Sequence, residues 1–412
     1  MKYDVIIIGG GAAGLTAALS ASGQDARTAV LEAAPRVGRK ILASGNGRCN
    51  LANTGAPNYP GNGEFAQAVL KACPVEKVLS FFHGLGLVTV EEEGGRVYPG
   101  CGQAAAVLDV LRAGLERRAV PLVCEGRAES IQPTAQGFRV RTAGDTYEAR
   151  RIVVACGSPA GGKLGHDGEA YSLLTALGHT LIPPRPALAP LTAEKNAVKG
   201  LSGLRLPAIL TLCRKKDGRA LWTSQGEILF TDYGVSGVCA MELARFAQEE
   251  QKRAGAWPLL SVDFSPMVGI APRCYRGAEA AGDPLIHQKD MLACLEARRH
   301  ILPLESILQG LAPRLLADRL RGLSLADLAR SLAAFPVPLT GVRGLEYAQV
   351  AAGGIDTNEF DPLTLQSRLV PGLYAAGEML DVDGACGGFN LQFAWASGII
   401  AGRNAAKRRV ES

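Results

Sequence analysis

The chain has 412 residues, 47% hydrophobic and 20% charged, with 50 glycines; this is the composition of a soluble α/β protein of two or three domains of about 150 residues each, and it excludes disordered and fibrous classes. Lys and Arg total 44 against 39 Asp and Glu, a net +5 with no dense basic block except Lys407, Arg408 and Arg409, so no dedicated nucleic-acid surface is indicated. The ten cysteines stand singly, without C-x-x-C or zinc-type spacing, and the five histidines (His83, His166, His179, His287, His300) form no metal-ligand pair, so reduced thiols, a cytoplasmic location and no metal site are expected.

Met1 to Asp4 run straight into an apolar strand, leaving no room for a signal peptide, and no apolar run of about 18 residues follows. Val5, Ile6, Ile7 and Ile8 read as a central parallel strand. They enter a glycine turn in which Gly9, Gly11 and Gly14 fit G-x-G-x-x-G: the first permits the turn, the second lets a pyrophosphate approach, and the third lets the helix pack on the strand. Ala12 and Ala13 open that helix, whose N-terminus faces the phosphates. A second strand at Ala29, Val30 and Leu31 ends in Glu32, about 20 residues beyond the glycines, where a carboxylate accepts from ribose hydroxyls; Ala33 lies beside it.

Gly38, Arg39 and Lys40, followed by Ser44, Gly45, Asn46, Gly47, Arg48, Cys49 and Asn50, read as a loop with more glycine and amide donors than an NAD site needs, expected to wrap a longer ligand. Cys49 reads as a small residue packed under the cofactor rather than a reactive thiol. Ala128 and a buried strand ending in Ala155, Cys156 and Gly157 are expected to bring the chain back to the cofactor, with His166, Asp167 and Gly168 turning beside it. Gly157 to Gly162 lacks the G-x-G-x-x-G spacing, so a second dinucleotide fold like that of pyridine nucleotide–disulfide reductases is not expected.

Pro183, Pro184, Pro186 and Pro190 are expected to break regular structure and to mark a boundary near 188. Short apolar runs over 206–230 and alternation over 259–264 predict strands. Between them Thr231, Asp232, Gly234, Ser236 and Gly237 predict a turn opening a helix over 238–246, with Thr231, Asp232 and Ser236 as caps. Tyr233 in that turn, and Tyr347, are the candidate proton donors. Residues 287–334 carry helical spacing. After the chain rejoins the first domain through Gly353 and Gly354, strand, acid, glycine loop and helix recur in Gly372 to Gly377, Glu378, Gly387, Gly388, Phe389, Asn390 and Leu391. Glu378 is placed to hold a ribityl hydroxyl, and the N–H groups of 388–391 to face the flavin N1–C2=O edge, where reduction places negative charge. Two separated glycine sites sharing one ligand is the arrangement of FAD.

The stretches 38–50, 226–237 and 377–392 resemble the BaiN/aminoacetone-oxidase family of FAD-dependent oxidoreductases, which includes YhiN-type proteins, and the match spans essentially the whole chain. The resemblance implies an α/β fold: a Rossmann-like FAD-binding domain with an inserted β-rich, barrel-like domain and a small helical cap, and an active site where insert and flavin meet. The expected segments are 1–188 and 351–412 for the FAD domain, 189–283 and 336–350 for the β-rich insert, and 284–335 for the cap. Family members often carry Thr or Cys where this chain has Ala351, so no hydroxyl or thiol role is transferred there. The expected activity is an NADH- or NADPH-fed, FAD-dependent reduction of an activated C=C bond in an enone or steroid-like substrate, the nicotinamide binding transiently. A flavin amine oxidase using oxygen on an aminoketone and an RNA-binding or RNA-modifying flavoprotein are the alternatives. The expected partner is a small molecule, without nucleic acid or membrane; the sequence does not determine the oligomeric state.

Overall fold

A computed structural model describes residues 2–166, 168–270 and 286–407. Asp167, Cys274, the expected boundary at 283/284, Arg408 and Arg409 lie outside them. The described residues divide into two compact units: the chain up to Arg185 together with the chain from Val350 onward, and Pro186–Gln349.

In the first unit the N-terminal apolar run forms the strand Lys2–Ile8, between two parallel neighbours. Val5 to Ile8 pair with Thr28 to Leu31 on one side, and Ile6 to Ile8 with Ile152 to Val154 on the other. Both faces are covered, which is why the strand is continuously apolar. The long strand Thr146–Val154 is shared along its outer edge: its C-terminal half pairs in parallel with Leu373–Ala375, its N-terminal half antiparallel with Gly137–Thr142, which continues into Ala128–Thr134. Leu122–Val123 extends the opposite edge, giving seven strands.

The helices Ala12–Ser22 and Phe389–Ala406, one from each end of the chain, are buried nearly all round and pack on each other. Side chains added at Gly398 and Gly402 would collide with the carbonyl oxygens of Ala13 and Ala17, so the helices approach as only glycine permits. Forcing a methyl group into such a contact costs about 1–3 kcal/mol. The Trp395 indole N–H adds a bond to Leu51 O at 2.9 Å.

The second unit is a closed barrel in the strand order Leu191–Ala193, Gly234–Ser236, Ala220–Phe230, Arg205–Cys213, Leu259–Asp263 and Phe335–Val342, the last pairing back to the first. Closure removes the exposed edges that an open sheet of these strands would leave. Leu206, Ala208, Leu210 and Leu212 are buried at alternate positions, and Phe230, Phe264 and Phe335 meet ring to ring. Helices Gln288–Arg299, Arg314–Arg319 and Leu325–Ala333 belong to this unit, the last capped by Ser324 Oγ, which accepts from Asp327 N–H. Asp263 Oδ2 lies 2.5 Å from His287 Nδ1 and ties the end of a barrel strand to the start of the first of these helices.

Three expectations are corrected. The prolines at 183, 184 and 186 do not break the chain: Leu181–Pro186 is a strand paired with Ala351–Ile355, because proline's fixed φ suits an extended edge strand. Thr231, Asp232 and Ser236 do not cap a helix; Gly237 occupies the cap of Val238–Glu242 without a side-chain bond, a second helix follows at Ala244–Ala254, and Ser236 is held in a barrel strand. The segment after Gly38 is not all loop, since Arg39–Ala43 is helical. No helix among the described residues is long and apolar enough to cross a membrane.

Candidate cofactor site

The first glycine turn is closed by contacts that exclude side chains. A Cβ on Gly9, whose φ is +107°, would strike the Ala155 carbonyl, and one on Gly14 would strike the carbonyl of Gly9. Gly11 differs: no described atom comes within 4 Å of where its side chain would begin, so the helix start is open on that side. Leu15 N–H is bonded back to Gly11 O at 3.0 Å, which leaves the N–H groups of Ala12, Ala13 and Gly14 without intrahelical acceptors. Donors around an open face suit an anion. Glu32 accepts from Gly10 N–H at 2.6 Å and Ala34 N–H at 2.7 Å, flanking Ala33, and each carboxylate oxygen keeps a lone pair for a ribose hydroxyl. Gly126 N–H reaches Glu32 O at 2.9 Å, which brings the start of the Ala128–Thr134 strand to this side.

The second half of the site joins the two ends of the chain. Gly45, Asn46, Gly47 and Cys49 all have φ between +54° and +83°, so the backbone coils tightly through the loop. Asn53 N–H donates to Gln392 Oε1 at 2.9 Å, Asn53 Nδ2 to Gly387 O at 2.8 Å, and Tyr59 OH to Phe389 O at 2.7 Å. Gly388, with φ +103°, precedes the long helix, and Gln392 N–H bonds back to Gly388 O. The N–H groups of Phe389, Asn390 and Leu391 therefore have no intrahelical acceptor. Asn50 Oδ1 is buried at this helix start, beside Gly388, with no hydrogen-bond partner among the described residues. A buried acceptor next to unengaged donors matches the N3–H and C2=O edge of a flavin, so the residues present fit FAD.

Several expected side chains are engaged within the protein. Lys40 Nζ pairs with Glu378 Oε2 at 2.8 Å, and Glu378 Oε1 accepts from Ala351 N–H at 3.1 Å. Arg39 donates to Lys163 O at 2.6 Å, and Ser44 Oγ to Ile41 O at 2.7 Å. The Asn390 side chain bonds the Gly384 N–H and carbonyl, both at 2.8 Å, leaving its backbone N–H for a ligand. Gly377 N–H is held by Ser397 Oγ at 2.9 Å, and Gly157 O by His166 Nε2 at 3.0 Å. Arg48 pairs with Glu92 at 2.5 Å and lies over the Tyr98 ring. Burial pushes the Cys49 thiol up to about 11 against the pull of the Ser44 hydroxyl, and burial, with the Glu32 charge, pushes Cys156 up to about 12. Neutral buried thiols are poor nucleophiles.

The two tyrosines lie in the other unit. The Arg343 guanidinium sits 4.5 Å from the ring centre of Tyr233 and 3.2 Å from that of Tyr347, a cluster that nothing in the sequence spacing announces. One further constellation in the first unit looks like a hydrolase triad: Ser367 Oγ, His179 Nε2 at 3.0 Å, and Glu359 Oε2 at 2.8 Å from His179 Nδ1. Its serine is buried and already accepts from Leu369 and Val370 N–H, so the group braces the fold.

The profile described as HI0933-like protein Rossmann domain matches residues 3–404. The chain is 38% identical over 417 residues to a 3-dehydro-bile acid delta(4,6)-reductase of Clostridium scindens, covering 98% of each. It is 27% identical to a ribosomal RNA dihydrouridine synthase of Escherichia coli, covering 96% of each. The fold is like that of a 3-ketosteroid delta1-dehydrogenase from Sterolibacterium denitrificans, with TM-score 0.53 and 14% identity over 98% of this chain and 99% of that one. With a Rossmann sheet, a glycine turn and a C-terminal helix start that each suit part of FAD, and a family match along nearly its whole length, the chain belongs to the HI0933-like Rossmann family and is an enzyme of the FAD-dependent oxidoreductases.

Proposed function

We propose that this enzyme reduces a C=C bond conjugated to a carbonyl in a small, apolar, steroid-like enone, drawing electrons from NADH or NADPH. The observation that carries the reading is the 38% identity, over 98% of both chains, to the bile acid delta(4,6)-reductase. Bound FAD would supply the hydride for the electron-poor carbon. The helix start at Gly11 would hold the pyrophosphate, and Glu32 the adenosine ribose. The N–H groups of Phe389, Asn390 and Leu391 would offset negative charge at the flavin edge. Tyr233 or Tyr347, braced by Arg343, would protonate the neighbouring carbon.

The test is anaerobic reduction by NADH or NADPH in a stopped-flow instrument, then mixing with a 3-keto-delta(4) or delta(4,6) steroid. Fast reoxidation with formation of the saturated bond supports the reading. Flavin that the nicotinamide bleaches and that no enone reoxidises contradicts it.

A second reading is reduction of uridine in ribosomal RNA, favoured by the 27% identity to the dihydrouridine synthase. The uridine C5=C6 bond is also conjugated to a carbonyl, so the same chemistry would serve. Unmodified ribosomal RNA as the oxidant, with dihydrouridine as the product counted, separates this reading from the first. Oxygen uptake on adding an aminoketone would point instead to an amine oxidase.

A further inference from the structure

Tyr171 belongs to none of the motifs above. It ends the single turn Glu169–Tyr171, is 2% exposed, and its hydroxyl is buried without a hydrogen-bond partner among the described residues. Leaving a buried polar group unpaired is unfavourable, and phenylalanine would fill the same space without that penalty.

The ring is firmly placed. It meets His166 edge to face at 4.8 Å. Gly168 N–H donates to His166 Nδ1 at 2.9 Å, which leaves Nε2–H to donate to Gly157 O at 3.0 Å and fixes one neutral tautomer. Gly157 follows Ala155 and Cys156, the residues against which the first glycine turn closes. Tyr171, His166 and Gly157 thus form a bracket on the cofactor loop.

The phenol is also within electrostatic reach of Glu378 and Asp381. Burial first, then these carboxylates and Cys156, raise its pKa, so the hydroxyl keeps its proton. Neither carboxylate is bonded to it: Glu378 takes Lys40 and Ala351 N–H, and Asp381 takes Gly353 N–H and Asn62. The hydroxyl is thus a protonated donor that has no acceptor among the described residues, on a ring tied through His166 to Gly157.

We propose that Tyr171 is a cofactor-binding residue whose hydroxyl donates to an oxygen of the ribityl–pyrophosphate linker of FAD. The proposal rests on the reading that this chain binds FAD. The experiment compares wild type and Tyr171→Phe as apoproteins, measuring thermal midpoint without flavin and FAD affinity by fluorescence titration. The expected result is an apoprotein midpoint equal to or above wild type, with FAD binding weakened about 5- to 10-fold. Wild-type FAD affinity in the variant, or a lower apoprotein midpoint, would overturn the proposal, the latter by revealing a partner inside the protein. Wild-type protein that takes up no FAD would instead remove the reading beneath it, and the proposal with it.

Discussion

In the unit built from both ends of the chain, polar groups stop short of partners at two helix starts: the N–H groups at Ala12, Ala13 and Gly14, and those at Phe389, Asn390 and Leu391 together with Asn50 Oδ1; Ser20 Oγ, Arg151 Nε and Tyr171 OH are buried and unpaired elsewhere in it. In the inserted unit polar groups mostly end on one another. Asp263 takes His287 and Ser265 N–H, Thr211 meets Thr223 at 3.2 Å, Ser224 donates to Glu242 at 2.7 Å, and Arg343 lies against two tyrosine rings. Buried polar groups in proteins are nearly always paired, so a concentration of unpaired ones marks a place prepared for a ligand. The contrast separates a unit shaped around a cofactor from one whose polar groups largely hold its own fold.

The sharpest way to break this comparison is at the glycines. At Gly11 a Cβ meets open space, so in Gly11→Val the apoprotein should keep its thermal midpoint while FAD affinity falls about 100-fold or more, measured by titration. Gly14→Ala should instead damage the fold, because its side chain meets the Gly9 carbonyl. If Gly11→Val binds FAD normally, the open face is not the phosphate site.

Next in size is proton delivery. Tyr233→Phe and Tyr347→Phe should leave reduction by NADH or NADPH unchanged, and one of them should slow enone reduction about 100-fold or more. If neither changes the oxidative half-reaction, the acid lies elsewhere.

Asp263→Ala probes the inserted unit. It leaves His287 buried without its carboxylate and should cost about 1–3 kcal/mol in denaturant unfolding, with FAD affinity unchanged. An altered FAD affinity would mean that the two units do not divide cofactor binding from stability as described.

The cofactor half was legible because its signals are backbone signals. Gly9, Gly11, Gly14 and Glu32 mark where the main chain must turn or accept a ribose, and such demands show in residue type at short range. The Lys40–Glu378 pair spans 338 positions, and no local pattern announces it. The strand at Leu181–Pro186 was hidden because proline is read as a breaker, although it fits an edge. Thr231 has the residue type of a cap, yet its hydroxyl is buried without a partner among the described residues. Tyr171 carries no motif, because an unpaired hydroxyl is a property of packing rather than of spacing.

The smallest expected effects concern thiols. Exposed Cys101 should be alkylated in the native protein at pH 7.5, and buried Cys49 and Cys156 should not, as peptide mass spectrometry would show. An unfolded thiol releases its proton near pH about 8.5, whereas folded Cys49 holds it to about 11. Above pH about 8.5 the folded state therefore binds more protons than the unfolded one, and stability should fall as pH rises, by about 1 kcal/mol per pH unit for one such thiol. Urea midpoints at pH 7.5 and 9.5 check the sign.

The most direct measurement is the flavin content of apoprotein incubated with excess FAD, desalted, and read by absorbance after unfolding. Wild type should retain about one FAD per chain, and Gly11→Val should lose it. A wild-type protein that emerges colourless would contradict it.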